Sequence, residues 1–169
     1  GDPDFIAEVQ TIVDETGVNL SSLCLELTES ALTNSESEVI KTLNQLHQMG
    51  IYVAIDDFGT EYSSLARLRD LPIEVLKIDR SFIDGLGTET GDTAIVSSIL
   101  SLAFATGKHV IAEGIERVDQ ALALRSMGCH VAQGYLFGRS VPRDAVPAAR
   151  VRWEHAARET TARLTGRAA

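Results

Sequence analysis

Two hydrophobic periods alternate along the chain. Phe5, Ile6, Val9, Ile12 and Val13 recur at helical stripe spacing, which predicts a helix from Phe5 to Glu15 with Asp2 and Asp4 as candidate caps and Gly17 as its stop. Leu23 to Leu27 (LCLEL) reads as a strand, with Glu26 the anomaly in an apolar run. Ser35 to Met49 carries Val39, Ile40, Leu43, Leu46 and Met49 on one helical face and ends at Gly50. The next strand is YVAIDDF, from Tyr52, and it breaks at Phe58-Gly59-Thr60. A short helix starts at Ser63-Ser64, runs through Leu65 and Leu68, and stops near Pro72, because proline disfavours helix just before itself. Then come a strand at Val75 to Ile78, a long apolar helix at Thr93 to Thr106, a strand at Val110 to Ala112, a helix at Val118 to Met127 and a strand at His130 to Ala132. The tail from Asp144 to Ala169 is predicted as a helix with Val146, Ala149 and Trp153 inward.

This repeat of helix, glycine stop and short apolar strand implies an α/β protein with parallel strands and helices outside them. Polar groups gather in the strands or just after them: Glu26, Asp56, Asp57, Lys77, Asp79, Glu113 and Gln133. In a (β/α) barrel such positions converge on the face that carries the active site. Each has an ordinary alternative. Asp57 can cap the next helix while Asp56 faces water, Glu26 can face solvent, Glu113 can cap a helix, and Gln133 can satisfy backbone groups. Lys77, between Leu76 and Ile78, is the hardest to place without a carboxylate partner or a function. As a set, these carboxylates and the lysine over successive strand ends form an oxygen-donor site suited to Mg²⁺ or Mn²⁺, and paired divalent ions are the machinery of phosphodiester hydrolysis.

Composition narrows the picture. The 169 residues amount to one domain's worth of chain with ordinary apolar and charged fractions. No apolar run approaches the roughly 18 residues of a membrane span, and the N-terminus lacks the pattern of a secretory signal, so the chain is expected to be soluble. Cys24 and Cys129 lack metal spacing and read as reduced core residues of a cytoplasmic protein. The net charge of −9 is borne by the body of the chain, since seven arginines stand against three acidic residues from Arg139 onward. An acidic body argues against binding DNA, and a phosphate ligand would need metal ions for positive charge. His47, His109, His130 and His155 fall at helix, strand-start or tail positions, which disfavours zinc. No GxGxxG, GxxxxGK[ST] or GxSxG motif is present.

The stretches LCLELTES (Leu23 to Ser30), AIDDFGTEYSSL (Ala54 to Leu65), LPIEVLKIDRSFI (Leu71 to Ile83), VIAEGIE (Val110 to Glu116) and QGYLFGR (Gln133 to Arg139) together resemble the EAL domain family of bacterial cyclic di-GMP phosphodiesterases. The resemblance covers residues 1–142, with residues 143–169 a C-terminal helix and polar tail. It implies a TIM-type (β/α) barrel of which about the last five strands are here, and hydrolysis of cyclic di-GMP to linear pGpG at two metal ions, Mg²⁺ or Mn²⁺. It implies Glu26, Asp56, Asp57 and Glu113 as metal ligands, with Lys77 and Glu113 catalytic. Glu29 would hold the loop after Asp57, and Asp79, Glu116, Gln133 and Tyr135 would lie near the metals or the nucleotide.

The chain departs from the family pattern in lacking the Glu-Ala-Leu stretch that names it and the asparagine-bearing strand end that follows. Roughly three β/α units are therefore expected to be missing, leaving open strand edges that a homodimer or domain-swapped assembly would cover. Glu61 stands where a small residue is usual and Ser140 where a proline often follows. The parent is expected to be linked to a sensory or GGDEF domain, with no membrane segment in this chain, and the truncated chain to be weak or inactive alone. The alternative is a catalytically inactive EAL-like module that binds cyclic di-GMP or a protein partner as a signalling sensor.

Overall fold

The computed structural model describes residues 4–34, 36–59, 65–86 and 90–164. Helix α1 (Phe5–Thr16) ends where Gly17 takes a left-handed φ of 63° and its N–H bonds back to Val13 O. A 3₁₀ turn at Leu20–Ser22 leads to β1 (Cys24–Thr28). Helices α2 (Ala31–Asn34) and α3 (Glu36–Met49) precede β2 (Tyr52–Phe58). There follow α4 (Leu65–Asp70), β3 (Val75–Ile78), α5 (Arg80–Asp84) and α6 (Thr90–Ala105). The remainder is β4 (His109–Ala112), α7 (Val118–Ser126), β5 (Val131–Ala132), a 3₁₀ turn at Arg143–Ala145 and α8 (Val146–Leu164). The strands form a sheet in the order β1-β2-β3-β4-β5, and its assigned pairings are parallel.

The chain divides into two compact units. The first comprises Gly1–Asp79 and Ser101–Val110, the second Arg80–Leu100 and Ile111–Ala169. In the first unit, Val53, Ala54 and Ile55 of β2 and Leu76, Lys77 and Ile78 of β3 are all buried, the near-continuous burial of inner parallel strands. Strand β1 instead alternates, with Cys24, Glu26 and Thr28 on its exposed face. The expectation that Cys24 is a core residue therefore fails, because the strand period of two sets it on the face of Glu26. Cys129 is buried. Lys108 ends the first unit's network, its Nζ donating to Leu71 O and Ile73 O at 3.2 and 3.1 Å.

In the second unit Ile83, Leu86, Val96, Ile115 and Ala149 are fully buried. Trp153 packs against Gly138, where an added Cβ would meet the indole. Val146, expected inward, is 41% exposed, since α8 turns toward its core the stripe that holds Ala149. Helix α6 starts three residues before its expected Thr93, with Asp92 in its first turn, where a carboxylate complements the helix dipole. The helices α2 and α5 have too few residues to show a hydrophobic period, which is why pattern alone does not reveal them. Asp2, Glu61, Tyr62 and the Ser63-Ser64 helix start lie outside the described residues.

Candidate active site

The β2 and β3 strands pair Ile55 with Leu76 and Phe58 with Ile78, so Asp56 and Asp57 together stand opposite the single residue Lys77. This is a β-bulge, and Asp57 carries its strain with a φ of 55°, the one positive-φ non-glycine residue among those described. In a regular strand neighbouring side chains point to opposite faces. The extra residue lets two adjacent aspartates act on one locality.

That locality is organised around Lys77. Its side chain is 6% exposed, and Nζ lies 2.8 Å from Glu26 Oε2 on β1 and 2.9 Å from Asp56 Oδ1 on β2. The register places Glu26 beside Ala54 and Thr28 beside Asp56, which brings the β1 and β2 carboxylates to neighbouring positions. Around Asp57, desolvation raises the carboxyl pKa first, and the charges of Asp56 and Asp79 raise it further. A side-chain hydrogen bond with Asp79 acts in the same direction, against the opposing charge of Lys77. Four carboxylates thus gather in this unit around one ammonium group. Glu29 serves the loop that follows. It is 2% exposed, and its Oε2 accepts the N–H of Gly59 at 3.0 Å, tying the turn that follows Asp57.

The remaining predicted residues belong to the second unit. Glu113 Oε1 accepts from Gln133 Nε2 at 2.6 Å. The backbones of their two loops are laced by Ile115 N–H to Gln133 O at 3.1 Å and Leu136 N–H to Ile115 O at 2.9 Å. Gly134 permits this approach, since a Cβ there would collide with the Ile115 backbone. Glu116 Oε1 pairs with Arg80 Nη2 at 2.9 Å, while Tyr135 is exposed beneath the Arg139 guanidinium at 4.1 Å.

Sequence reasoning missed Arg80, which partners Glu116 and whose side chain fills the space that a Cβ on Gly114 would need. It also missed Gln120, 1% exposed. The available signal was its place three residues after the N-cap Arg117, where Glu or Gln commonly turns back to the helix start.

The donor chemistry of the first unit fits a hard divalent cation, because Glu26, Asp56 and Asp57 supply oxygen donors and the charges of Asp56 and Asp79 raise the cost of ionising Asp57. Among the described residues no three His, Cys, Asp or Glu side chains are drawn together closely enough to hold an ion, and Lys77 provides the local positive charge instead.

Residues 1–140 match the EAL domain family. The chain belongs to that family. It is 40% identical over 146 residues to the cyclic di-GMP phosphodiesterase NbdA of Pseudomonas aeruginosa, covering 86% of this chain and 19% of NbdA. The PaMucR phosphodiesterase, solved as a c-di-GMP complex, matches with a TM-score of 0.82 and 38% identity over 86% of this chain and 59% of that one. Klebsiella pneumoniae BlrP1, solved as a manganese and cy-diGMP complex, matches with a TM-score of 0.76 and 29% identity over 81% of this chain and 35% of that one. The EAL chain is therefore α/β and corresponds to part of a TIM-type barrel. It spans about a fifth of the length of curated relatives such as NbdA, at 19%. No helix among its described residues is long and apolar enough to cross a membrane.

Proposed function

We propose that the protein carrying this chain hydrolyses cyclic di-GMP to linear pGpG with Mg²⁺ or Mn²⁺, in bacterial signal transduction. The observation that carries the reading is the buried Lys77 ammonium set between the Glu26 and Asp56 carboxylates in a chain of this family. The cyclic di-GMP of PaMucR and the manganese of BlrP1 support the ligand and metal classes.

Glu26, Asp56, Asp57 and Glu113 would hold two divalent ions. Bound there, the ions would supply positive charge that favours hydroxide over water and offsets charge on the phosphodiester as it reacts. Lys77 Nζ, fixed by two carboxylates, positions the attacking water and favours its deprotonated form. Glu113 accepts the water's proton, and the Gln133 amide fixes the direction of its carboxylate. The hydroxide oxygen bonds to phosphorus, the bond from phosphorus to the ribose 3′-oxygen breaks, and a proton goes to that oxygen. The product then carries a 5′-phosphate and a free 3′-hydroxyl, which is pGpG. Glu29 holds the Asp57 turn through Gly59, while Asp79, Glu116 and Tyr135 border the reacting groups.

A cytoplasmic location, a homodimer or domain-swapped assembly, and a linked sensory or GGDEF domain belong to the same proposal. The deciding experiment incubates the full protein with cyclic di-GMP and Mn²⁺ or Mg²⁺, follows pGpG by mass, and records the mass of the assembly in solution. Turnover that stops on chelation is expected. Absence of both binding and cleavage with either ion would overturn the proposal, and binding without cleavage would replace it with the non-catalytic signalling module.

A further inference from the structure

We infer that Gln120 is a positioning residue for the loop that carries Glu113, an inference that rests on the catalytic reading above. Gln120 lies in the first turn of α7 with 1% exposure, and its side-chain amide is used from both ends. Oε1 accepts the backbone N–H groups of Glu116 and Arg117 at 3.0 and 2.9 Å. Nε2 donates to Ile83 O in α5 at 3.0 Å. The carboxamide accepts at its oxygen and donates from its nitrogen, so one side chain serves both sides. Glutamate would keep the two accepted bonds and lose the donated one, and leucine would lose all of them.

The surroundings show what the amide holds. Arg117 Nη1 and Nη2 donate to Asp84 O and Leu86 O, both at 3.3 Å, and Arg80 Nη2 reaches Glu116 Oε1 at 2.9 Å. The end of the loop from Glu113 to Arg117 is therefore tied to α5 and the turn after it. Its middle is tied to the β5 side through Ile115, which bonds Gln133 O and Leu136 N–H at 3.1 and 2.9 Å. The 2.6 Å contact of Glu113 with Gln133 depends on that register. Of the side chains bracing the loop end, Gln120 is fully shielded from water, whereas Arg80 and Arg117 are exposed. Water can replace their bonds, whereas the bond of Gln120 to Ile83 O is buried away from it.

The test compares Gln120→Leu, Gln120→Glu and Leu124→Ala in the full protein. Leu124 is a 1% exposed residue of the same helix with no bond to the loop in this network. Two readouts are taken: kcat and KM for cyclic di-GMP with Mn²⁺, and amide hydrogen exchange of the ligand-free protein. Gln120→Leu is expected to lower kcat roughly 10-fold to 100-fold with KM unchanged. It is also expected to speed exchange at the Glu116 and Arg117 amides. Gln120→Glu is expected to recover part of both losses, while Leu124→Ala lowers the thermal midpoint and keeps the wild-type kcat per folded molecule. A folded Gln120→Leu with wild-type kcat would overturn the inference, as would a parallel loss of kcat in Leu124→Ala at equal loss of stability. If the wild-type protein hydrolyses nothing, the catalytic reading falls by itself. Exchange then decides the brace, with faster exchange confined to Glu116 and Arg117 supporting it and unchanged rates refuting it.

Discussion

Replacing Lys77 with methionine separates a catalytic ammonium from a structural one. The side chain is 6% exposed and touches Glu26 and Asp56 at 2.8 and 2.9 Å. At an effective dielectric of about 20, each such contact is worth roughly 6 kcal/mol of gross Coulomb energy. Desolvating the ammonium and the carboxylates costs several kcal/mol per ion and cancels most of that gain. Removing one partner of a fully buried pair typically costs about 3–5 kcal/mol, because the surviving charge is stranded. Here the survivors keep solvent access, with the Glu26 side chain 52% exposed and that of Asp56 25% exposed. Lys77→Met should therefore cost less, about 1–3 kcal/mol, or roughly 2–12 °C in thermal midpoint.

The effect on rate should be larger in free-energy terms. Loss of a group that assists proton transfer lowers kcat about 10²-fold to 10⁴-fold, with the protein still folded. Lys77→Arg sharpens the contrast, since arginine keeps the charge but replaces the compact ammonium with a planar guanidinium that does not hold the attacking water at the position of Nζ. It should retain the thermal midpoint and lose the rate. The assay is mass-resolved pGpG formation beside differential scanning calorimetry of each variant. If Lys77→Arg turns over at the wild-type rate, the lysine is a structural cation and the argument that it positions the attacking water is wrong.

Glu29→Ala removes the buried carboxylate that accepts the Gly59 N–H at 3.0 Å, so activity should fall roughly 10-fold to 100-fold with faster amide exchange at Gly59. Unchanged exchange there would contradict the tie. Gly114→Ala forces a side chain into a left-handed φ of 69° and against the Arg80 side chain. The backbone alone should then cost about 1–2 kcal/mol, read by chemical denaturation, and a neutral substitution would show that the loop re-forms freely. Lys108, buried at 7% exposure, has its pKa lowered from 10.5 by desolvation. Between its folded value and 10.5 the unfolded chain binds more protons, so the lysine's contribution to stability rises with pH in that alkaline window and is constant below it. The stability difference between wild type and Lys108→Met should grow in favour of wild type as pH is raised toward 10.5, and a flat or falling difference in denaturation midpoints would refute it.

Much of the architecture was legible residue by residue. Val39, Leu43 and Leu46 at helical spacing mark α3, and the run from Val75 to Ile78 has the same bounds as β3. These signals are local, because a period of 3.6 or 2 is written within a few turns or residues of one element. The gathering of carboxylates near strand ends was legible for the same reason, since parallel strands joined by helices send every such end one way.

The chain's own pattern thus determined the alternation of helices and strands, the carrying of carboxylates and Lys77 in or just after the strands, and the family whose five stretches it bears in order. Tertiary structure alone decided the bulge that sets Asp56 and Asp57 against Lys77, the burial of Glu29 under the Gly59 turn, the exposure of Cys24, and the brace made by Gln120. Each of these depends on a pairing between residues distant in sequence, such as Phe58 with Ile78 or Gln120 with Ile83. Register and hydrogen-bond partners follow from which elements lie side by side, and a period read within one element carries no record of its neighbour.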